Sequence, residues 1–186
     1  MTAAFRLGAA ARVLRLGGII AYPTEAVWGI GCDPRNEDAL KSLLRLKGRD
    51  PDKGLILVGA SVAQFAPLIE ALSARQRDQL RQTWPGPVTW LVPHRGLVHP
   101  LVHGRFDTVA LRVSDHPVII ALCSAFGGPV VSTSANPQGR RPALSARQVR
   151  HYFGGGVDYV LPGDLGRRAK PTEIRHIVTG GIVRPA

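Results

Sequence analysis

Two short stretches of the chain carry side chains suited to gripping an anion. Lys47-Gly48-Arg49 sets a cation on either side of a glycine at the end of an apolar-periodic segment. Residues two apart on an unbroken helix point to different faces. A helix that stops at Gly48, however, leaves Lys47 in its last turn and Arg49 just beyond, so both can swing toward one ligand. Cations at a helix C-terminus also complement its dipole, for only ~0.3–1 kcal/mol, so replacing either should leave the fold intact. Ser132-Thr133-Ser134-Ala135-Asn136-Pro137 reads as a turn after an apolar strand and concentrates three hydroxyls and an amide. Such groups donate to phosphate and carboxylate oxygens without filling space, although an Asx turn ahead of Pro137 uses the same residues. Arg140 and Arg141 follow and weigh toward an anion.

Other chemistry-bearing residues are scattered. Tyr22-Pro23-Thr24-Glu25 ends an apolar run with a hydroxyl and a carboxylate. Thr108 and Arg112 are four apart on a strand and share a face, and Arg112 in so apolar a segment needs an anionic partner. Thr172-Glu173 and Arg184 stand on opposite arms of a predicted hairpin and can close one pocket. Neither G-x-x-x-x-G-K-[ST] nor a strand-borne G-x-G-x-x-G is present, and Gly29-Ile30-Gly31 is too short to replace them. A phosphate site must therefore be assembled from separate elements at strand ends. The 6 histidines are dispersed at 94, 99, 103, 116, 151 and 176. His99 and His103 have ligand-like spacing only on a helix, which their Pro-containing loop argues against; surface or capping roles are expected, and no protein-held metal. Cys32 and Cys123 read as two reduced, buried thiols, and no set of nucleophile, base and orienter stands out.

The elements that must position these groups follow from periodicity. Residues 3–16 fit a short amphipathic helix broken by Gly17-Gly18, and 19–22 an apolar strand. Asn36 caps a helix over 37–47, a strand follows at 55–58, and Ser61 and Ser73 open helical segments through 69 and over 74–83. Trp84-Pro85-Gly86-Pro87 feeds a strand at 88–92, while 93–107 reads as a turn-rich, mobile loop. Strands at 108–113 and 130–131 flank a helix at 117–126. Ser145 caps a helix through 152, and strands at 159–161 and 172–177 precede a hairpin turn, Thr179-Gly180-Gly181, into 182–184.

Short apolar strands alternating with helices predict an α/β fold. One twisted, mixed parallel/antiparallel sheet with flanking helices is expected, antiparallel toward the C-terminus, in a single domain over 1–186. With 186 residues and 45% hydrophobic content the chain can build one core. The net charge of +11, with 20 arginines among the 24 basic residues, favours polyanionic partners such as nucleotides or RNA. No apolar run is long enough to cross a bilayer, and Met1-Thr2-Ala3-Ala4-Phe5-Arg6 leads into no secretory apolar region, which predicts a cytoplasmic protein with no membrane partner.

Several stretches then matter jointly: Pro23-Thr24-Glu25-Ala26-Val27-Trp28-Gly29, Leu46-Lys47-Gly48-Arg49, Trp84-Pro85-Gly86-Pro87-Val88-Thr89, Thr108-Val109-Ala110-Leu111-Arg112, Ser134-Ala135-Asn136 and Gly163-Asp164-Leu165-Gly166. Running almost end to end, they resemble the YrdC-like family of threonylcarbamoyl-AMP synthases in its short bacterial form. The Lys-x-Arg and Ser-x-Asn pairs, in that order, are the specific part. The resemblance implies a YrdC-like fold with a basic concave ligand face. It also implies a nucleotidyltransferase that turns L-threonine, bicarbonate or CO2, and ATP into threonylcarbamoyl-AMP and diphosphate, with Mg²⁺. The product would serve threonylcarbamoyladenosine modification beside the anticodon of tRNA, through downstream threonylcarbamoyl-transfer machinery.

By the same resemblance Lys47, Arg49, Ser134 and Asn136 form the catalytic set. Arg49, Lys53, Thr108, Ser134 and Arg184 contact ATP together with Lys47, and Pro142 lines the nucleotide side. Thr24, Arg112, Ser132 and Thr172 face threonine or its carbamate. Ala26 stands where many relatives have a second threonine, so that hydroxyl contact is either lost or supplied by Thr24. Lys53-Gly54 stands where many have Asn-Pro, which leaves the ATP contact there open. The chain ends without the additional C-terminal domain of longer relatives, so lid closure by such a domain is not expected. A different reading of the arginines is a non-catalytic module that binds tRNA or double-stranded RNA on its basic face. The low aromatic content, 6%, argues against a base-stacking platform but not against a shape reader of duplex RNA.

Overall fold

The structure, a computed structural model, describes residues 2–166 and 172–185. Its elements are α1 (Ala3–Arg15), β1 (Ile20–Pro23), β2 (Trp28–Gly31), α2 (Glu37–Lys47), β3 (Ile56–Gly59), α3 (Ala66–Ile69), α4 (Ala74–Thr83), β4 (Val88–Pro93), α5 (Pro100–His103), β5 (Thr108–Val113), α6 (Pro117–Phe126), β6 (Val130–Ser134), α7 (Ala146–Phe153), β7 (Tyr159–Val160), β8 (Glu173–His176) and β9 (Ile182–Arg184). The strands form one mixed sheet in the order β7-β1-β2-β6-β3-β5-β4-β8-β9.

Strand alternation splits the core in two. Ile20 and Tyr22 of β1, Val58 of β3 and Val130 of β6 pack with Ala10, Ala11 and Leu14 of α1 and with Ile119, Leu122, Cys123 and Phe126 of α6. The intervening residues, among them Ala21, Leu57, Leu111 and Val131, pack with Leu40, Leu43 and Leu44 of α2 and with Val149 and Phe153 of α7. α1 and α6 lie against β1, β3 and β7. Nine strands about 4.8 Å apart span roughly 38 Å, and two helices about 10 Å wide cover only about half of that. On the uncovered half the same side-chain row continues through Ser132 and Ser134 of β6, Ile56 of β3 and Thr108, Ala110 and Arg112 of β5, fixed by the pairs Ile56↔Ser132, Ile56↔Ala110 and Val58↔Arg112. Where helix cover ends, apolar residues give way to polar ones.

Capping follows the sequence reading at α2, where the Asn36 side chain accepts from Ala39 N–H at 3.0 Å and Gly48 takes the left-handed conformation, φ 61°. It also holds at α4, where Ser73 and Gln76 form a reciprocal capping box, and at α7, where Ser145 accepts from Gln148 N–H. Ser61 makes no such bond, and its segment divides into a 3₁₀ turn and the four-residue α3.

Four other expectations are corrected. Trp28–Gly31 forms a strand, because Pro23↔Trp28 closes a tight hairpin that no long apolar run announces. The hydroxyl-rich stretch is not wholly a turn: β6 runs to Ser134, because Thr133 and Ser134 pair with Ile30 and Gly29 of β2. Antiparallel pairing is not confined to the C-terminus, since β1–β2, β2–β6 and β3–β6 are all antiparallel. Within 93–107, Pro100–His103 is a helical turn, with Pro100 at its tolerated first position and His99 as cap.

Gly31 is demanded by packing, since a Cβ there would stand 1.8 Å from the Val131 carbonyl oxygen. Gly31→Ala is expected to cost about 3 kcal/mol, a fall of roughly 6–12 °C in Tm by thermal denaturation.

Candidate functional site

Two adjoining cavities open on the uncovered half of the sheet. The first, ≈ 230 Å³, is bounded by the hairpin residues Thr24 to Gly29, by Arg112, by Ser132 to Ser134, and by Pro142, Thr172 and Arg184. The second, ≈ 270 Å³, is bounded by Lys53, Gly54, Leu91, His103, Phe106, Thr108, Ala110, Ile174 and Val183. Arg49, Leu55, Ile56 and Arg184 belong to both. The site residues expected from sequence thus separate along the sheet. Thr24, Ala26, Arg112, Ser132, Thr172, Ser134 and Pro142 lie around the first cavity, Lys53 and Thr108 around the second, and Arg49 and Arg184 between them.

Lys47 and Asn136 line neither cavity. Lys47 is buried, and its Nζ donates to the carbonyls of Ser134 and, at 2.8 Å, Asn136. Gln138 N–H returns a bond to the Lys47 carbonyl, so the end of α2 is stitched to the segment leaving β6. The Asn136 amide donates to the carbonyls of Pro137 and Arg140, while its Oδ1 accepts from the Ser134 hydroxyl at 2.6 Å. The expectation that Lys47 is a loosely held helix-end cation is therefore corrected. Lys47 follows Leu40, Leu43 and Leu44 on one helical face, seven residues after Leu40, and that spacing was already visible in the sequence. Burial, followed by the neighbouring charge of Arg49, pushes the Lys47 ammonium down to about 8.

Each remaining cation is anchored differently. Arg49 donates through Nε and Nη2 to Gly54 O, at 3.2 and 2.8 Å, bracing the turn that presents Lys53. Arg184 Nη2 donates to Thr172 O at 2.9 Å, which joins the two hairpin arms as their positions suggested. Burial first, then the charge of Arg112, lowers the guanidinium pKa of Arg184. The anionic partner that Arg112 required is Glu25: Arg112 Nη2 stands 3.3 Å from Glu25 Oε2, and both side chains are nearly sealed from solvent. Ser114 Oγ donates to Glu25 Oε1 at 2.6 Å and accepts from His116 N–H at 3.0 Å. Sequence reasoning noted Glu25 but gave it no role. Its one signal was a carboxylate at the end of a buried strand, with no pattern linking it to β5.

The Thr24 hydroxyl donates to Val27 O at 2.7 Å and so shapes the hairpin first, with its lone pairs left for a ligand. Gly166 N–H closes on Thr24 O at 2.9 Å, and a Cβ on Gly166 would come within 2.7 Å of Glu25 Cα, so the loop ending at Gly166 seals that side. Elsewhere, burial pushes Cys32 and Cys123 up to about 12, which keeps both thiols protonated and unreactive. His99 accepts from Leu101 N–H and faces Glu37, and His103 stacks on His94 at 3.9 Å, so the helical spacing of the two is spent on capping and packing.

Chemically, the arrangement offers cations that make no salt bridge among the described residues at one end, a charge-balanced Arg112–Glu25 pair at the other and hydroxyls between. Fold and site together define an α/β protein that holds a polyanion beside a small polar ligand. Comparison with known proteins narrows this further. The Sua5_yciO_yrdC family model, described as "Telomere recombination", matches residues 12–186, and the chain belongs to that family. It is 56% identical over 181 residues to the Threonylcarbamoyl-AMP synthase of Cellvibrio japonicus, covering 97% of this chain and 96% of that one. It is 55% identical over 186 residues to the Threonylcarbamoyl-AMP synthase of Pseudomonas fluorescens strain Pf0-1, with both chains fully covered. Among solved structures, P. abyssi Sua5 complexed with L-threonine superposes with TM-score 0.85 at 30% identity, over 91% of this chain and 50% of that one. The chain thus spans about half the length of P. abyssi Sua5. E. coli YciO, 22% identical with TM-score 0.85 over 98% of this chain and 89% of that one, shares the fold.

Lys47 gives a pH-dependent prediction. Between about 8 and the ordinary lysine value of 10.5 the folded chain has released a proton that the unfolded chain still holds, so this residue adds stability as pH rises through that window. Lys47→Met should cost about 2–4 kcal/mol at pH 7 through two carbonyls left without their charged donor. Urea unfolding at pH 7 and pH 10 should show the gap between wild type and variant widening; a narrowing gap contradicts the assignment.

Proposed function

We propose that the chain is an L-threonylcarbamoyladenylate synthase, joining L-threonine, bicarbonate or CO2, and ATP into threonylcarbamoyl-AMP with release of diphosphate. The observation that carries this reading is the pair of cavities with a shared wall of Arg49 and Arg184, one end cationic and the other charge-balanced. The relatives named Threonylcarbamoyl-AMP synthase and the P. abyssi structure with L-threonine support it. Lys53, Thr108, Arg49 and Arg184 take the triphosphate and its nucleoside, with Ser134 and Pro142 reaching it from the wall of the first cavity. Arg112 takes the threonine carboxylate, and Thr24, Ser132 and Thr172 surround the rest of the amino acid next to Ala26.

In this arrangement a carbamate oxygen on the threonine nitrogen attacks the α-phosphorus of ATP. The new O–P bond forms as the bond from that phosphorus to the bridging oxygen breaks, and diphosphate departs with the electron pair. The protein's part is to align the two reactants and to meet the growing charge with fixed guanidinium and ammonium groups. No side-chain nucleophile is needed, consistent with two protonated thiols and no activated serine. Lys47 and Asn136 act from behind, fixing the end of β6 on which Ser134 sits.

The residues present do not form a resident magnesium site. Among the described residues no cluster of three metal-ligating side chains comes together, and the one carboxylate on the cavity walls, Glu25, is held by Ser114 and Arg112. Mg²⁺ belongs to this reading as an ion carried by the triphosphate. The product goes to a threonylcarbamoyl-transfer machinery acting on tRNA, in the cytoplasm. No helix among the described residues is long and apolar enough to cross a membrane. Direct contact with tRNA or double-stranded RNA is assigned to the basic surface around Arg140 and Arg141, which border a shallow cleft with His151 and Tyr152. A binding module without chemistry does not account for two adjoining small-molecule cavities.

Purified protein with ATP and Mg²⁺ should release diphosphate only when L-threonine and bicarbonate are both present; release indifferent to threonine, or none, sinks the reading. Arg112→Ala should raise the KM for threonine by about tenfold or more with the KM for ATP little changed, and Lys53→Ala the reverse, each reflecting loss of one charged contact.

A further inference from the structure

We propose that Glu25 is a specificity-determining residue: its negative charge makes the Arg112 end of the site select a zwitterion over a simple monoanion. The inference rests on the reading that the first cavity takes an α-amino acid. Among the described residues lining the two cavities Glu25 is the only acid, set against Arg49, Arg112, Arg184 and Lys53. It is 4% exposed, 3.3 Å from Arg112, and held on its other oxygen by Ser114. The carboxylate and the guanidinium are set against each other as an ion pair, so this end of the site is charge-balanced while the far end is not. Among the described residues Oε2 has no hydrogen-bond donor, so the carboxylate keeps acceptor capacity on the side of Arg112.

A ligand carboxylate that meets Arg112 also meets the repulsion of Glu25 behind it. An amino acid offsets that repulsion, because its ammonium group, one carbon away, is attracted by the same charge. An acid without the ammonium has no such offset. The polyanionic triphosphate suffers most and is directed to Lys53, Arg49 and Arg184, so one buried carboxylate sorts the two substrates between the two cavities.

The test is equilibrium binding of L-threonine and of 3-hydroxybutyrate, which is threonine with hydrogen in place of the ammonium. Wild-type protein should prefer threonine by at least about tenfold, the scale expected for opposite charges a few ångströms apart in a half-buried site. Glu25→Gln, similar in shape and uncharged, should narrow that preference at least about threefold, and Glu25→Asp, which keeps the charge, should retain most of it. If Glu25→Gln weakens both ligands in parallel and leaves their ratio unchanged, Glu25 only supports the fold and the proposal is overturned. Should Glu25→Gln not fold, wild type and Glu25→Asp decide: a wild-type preference below tenfold, or its loss in Glu25→Asp, overturns the proposal, and preference kept in both upholds it. Threonine-dependent diphosphate release by wild type is measured alongside. Its absence with the binding preference intact refutes the synthase reading and leaves the role of Glu25 standing, whereas no threonine binding at all refutes both.

Discussion

Side chains on a strand alternate, and two helices cannot cover one face of a nine-stranded sheet. Most of the site follows from those two constraints. Where α1 and α6 lie over β1 and β3, the inward row is Ile20, Tyr22, Val58 and Val130. Beyond them, with no helix to meet, the row becomes Ser132, two residues after Val130 on β6, and Arg112, beside Val58 on β5. The boundary between core and site is thus a boundary of helix cover, and it passes through the interior of single strands. A polar side chain on this row is out of place under a helix and in place beyond it.

Placing polar groups on a sheet face requires that their neighbours do not move. The Lys47 amine supplies much of that fixity by tying α2 to two carbonyls at the end of β6, while Asn136 braces the loop from the other side. A charge buried in this way is expensive in isolation, and its retention makes sense where the backbone it holds forms a cavity wall. The pair Arg112–Glu25 obeys the same logic across β5 and the first hairpin.

Helix caps, the glycine stop at Gly48 and the strand periodicities were legible because they are local signals written within a few residues. The hairpin formed by β2 was not, since Trp28-Gly29-Ile30-Gly31 earns its place only from β1 and β6 on either side, and Gly31 from the approach of Val131. Type and order likewise pointed to most of the residues that meet at the cavities, but not to how far each is buried. Lys47 read as a helix-end cation able to swing toward a ligand, although it stands in register with the leucines of α2. Glu25 and Arg112 are 87 residues apart, and nothing short of the sheet order brings them together. The structure also separates what the sequence left as one cluster, sending Lys53 and Thr108 to one side and Thr24, Ser132 and Thr172 to the other.

Arg49 and Arg184 form a common wall, and a common wall couples its two rooms. A ligand that drew Arg184 toward itself would change the cation presented to the other cavity, and the affinity of each occupant would then depend on the presence of its neighbour. Thermodynamic linkage makes that dependence reciprocal: whatever factor the first ligand imposes on the second, the second imposes on the first. A shared wall of this kind would couple two ligands within a single small chain and would need neither a subunit interface nor a hinge to do so.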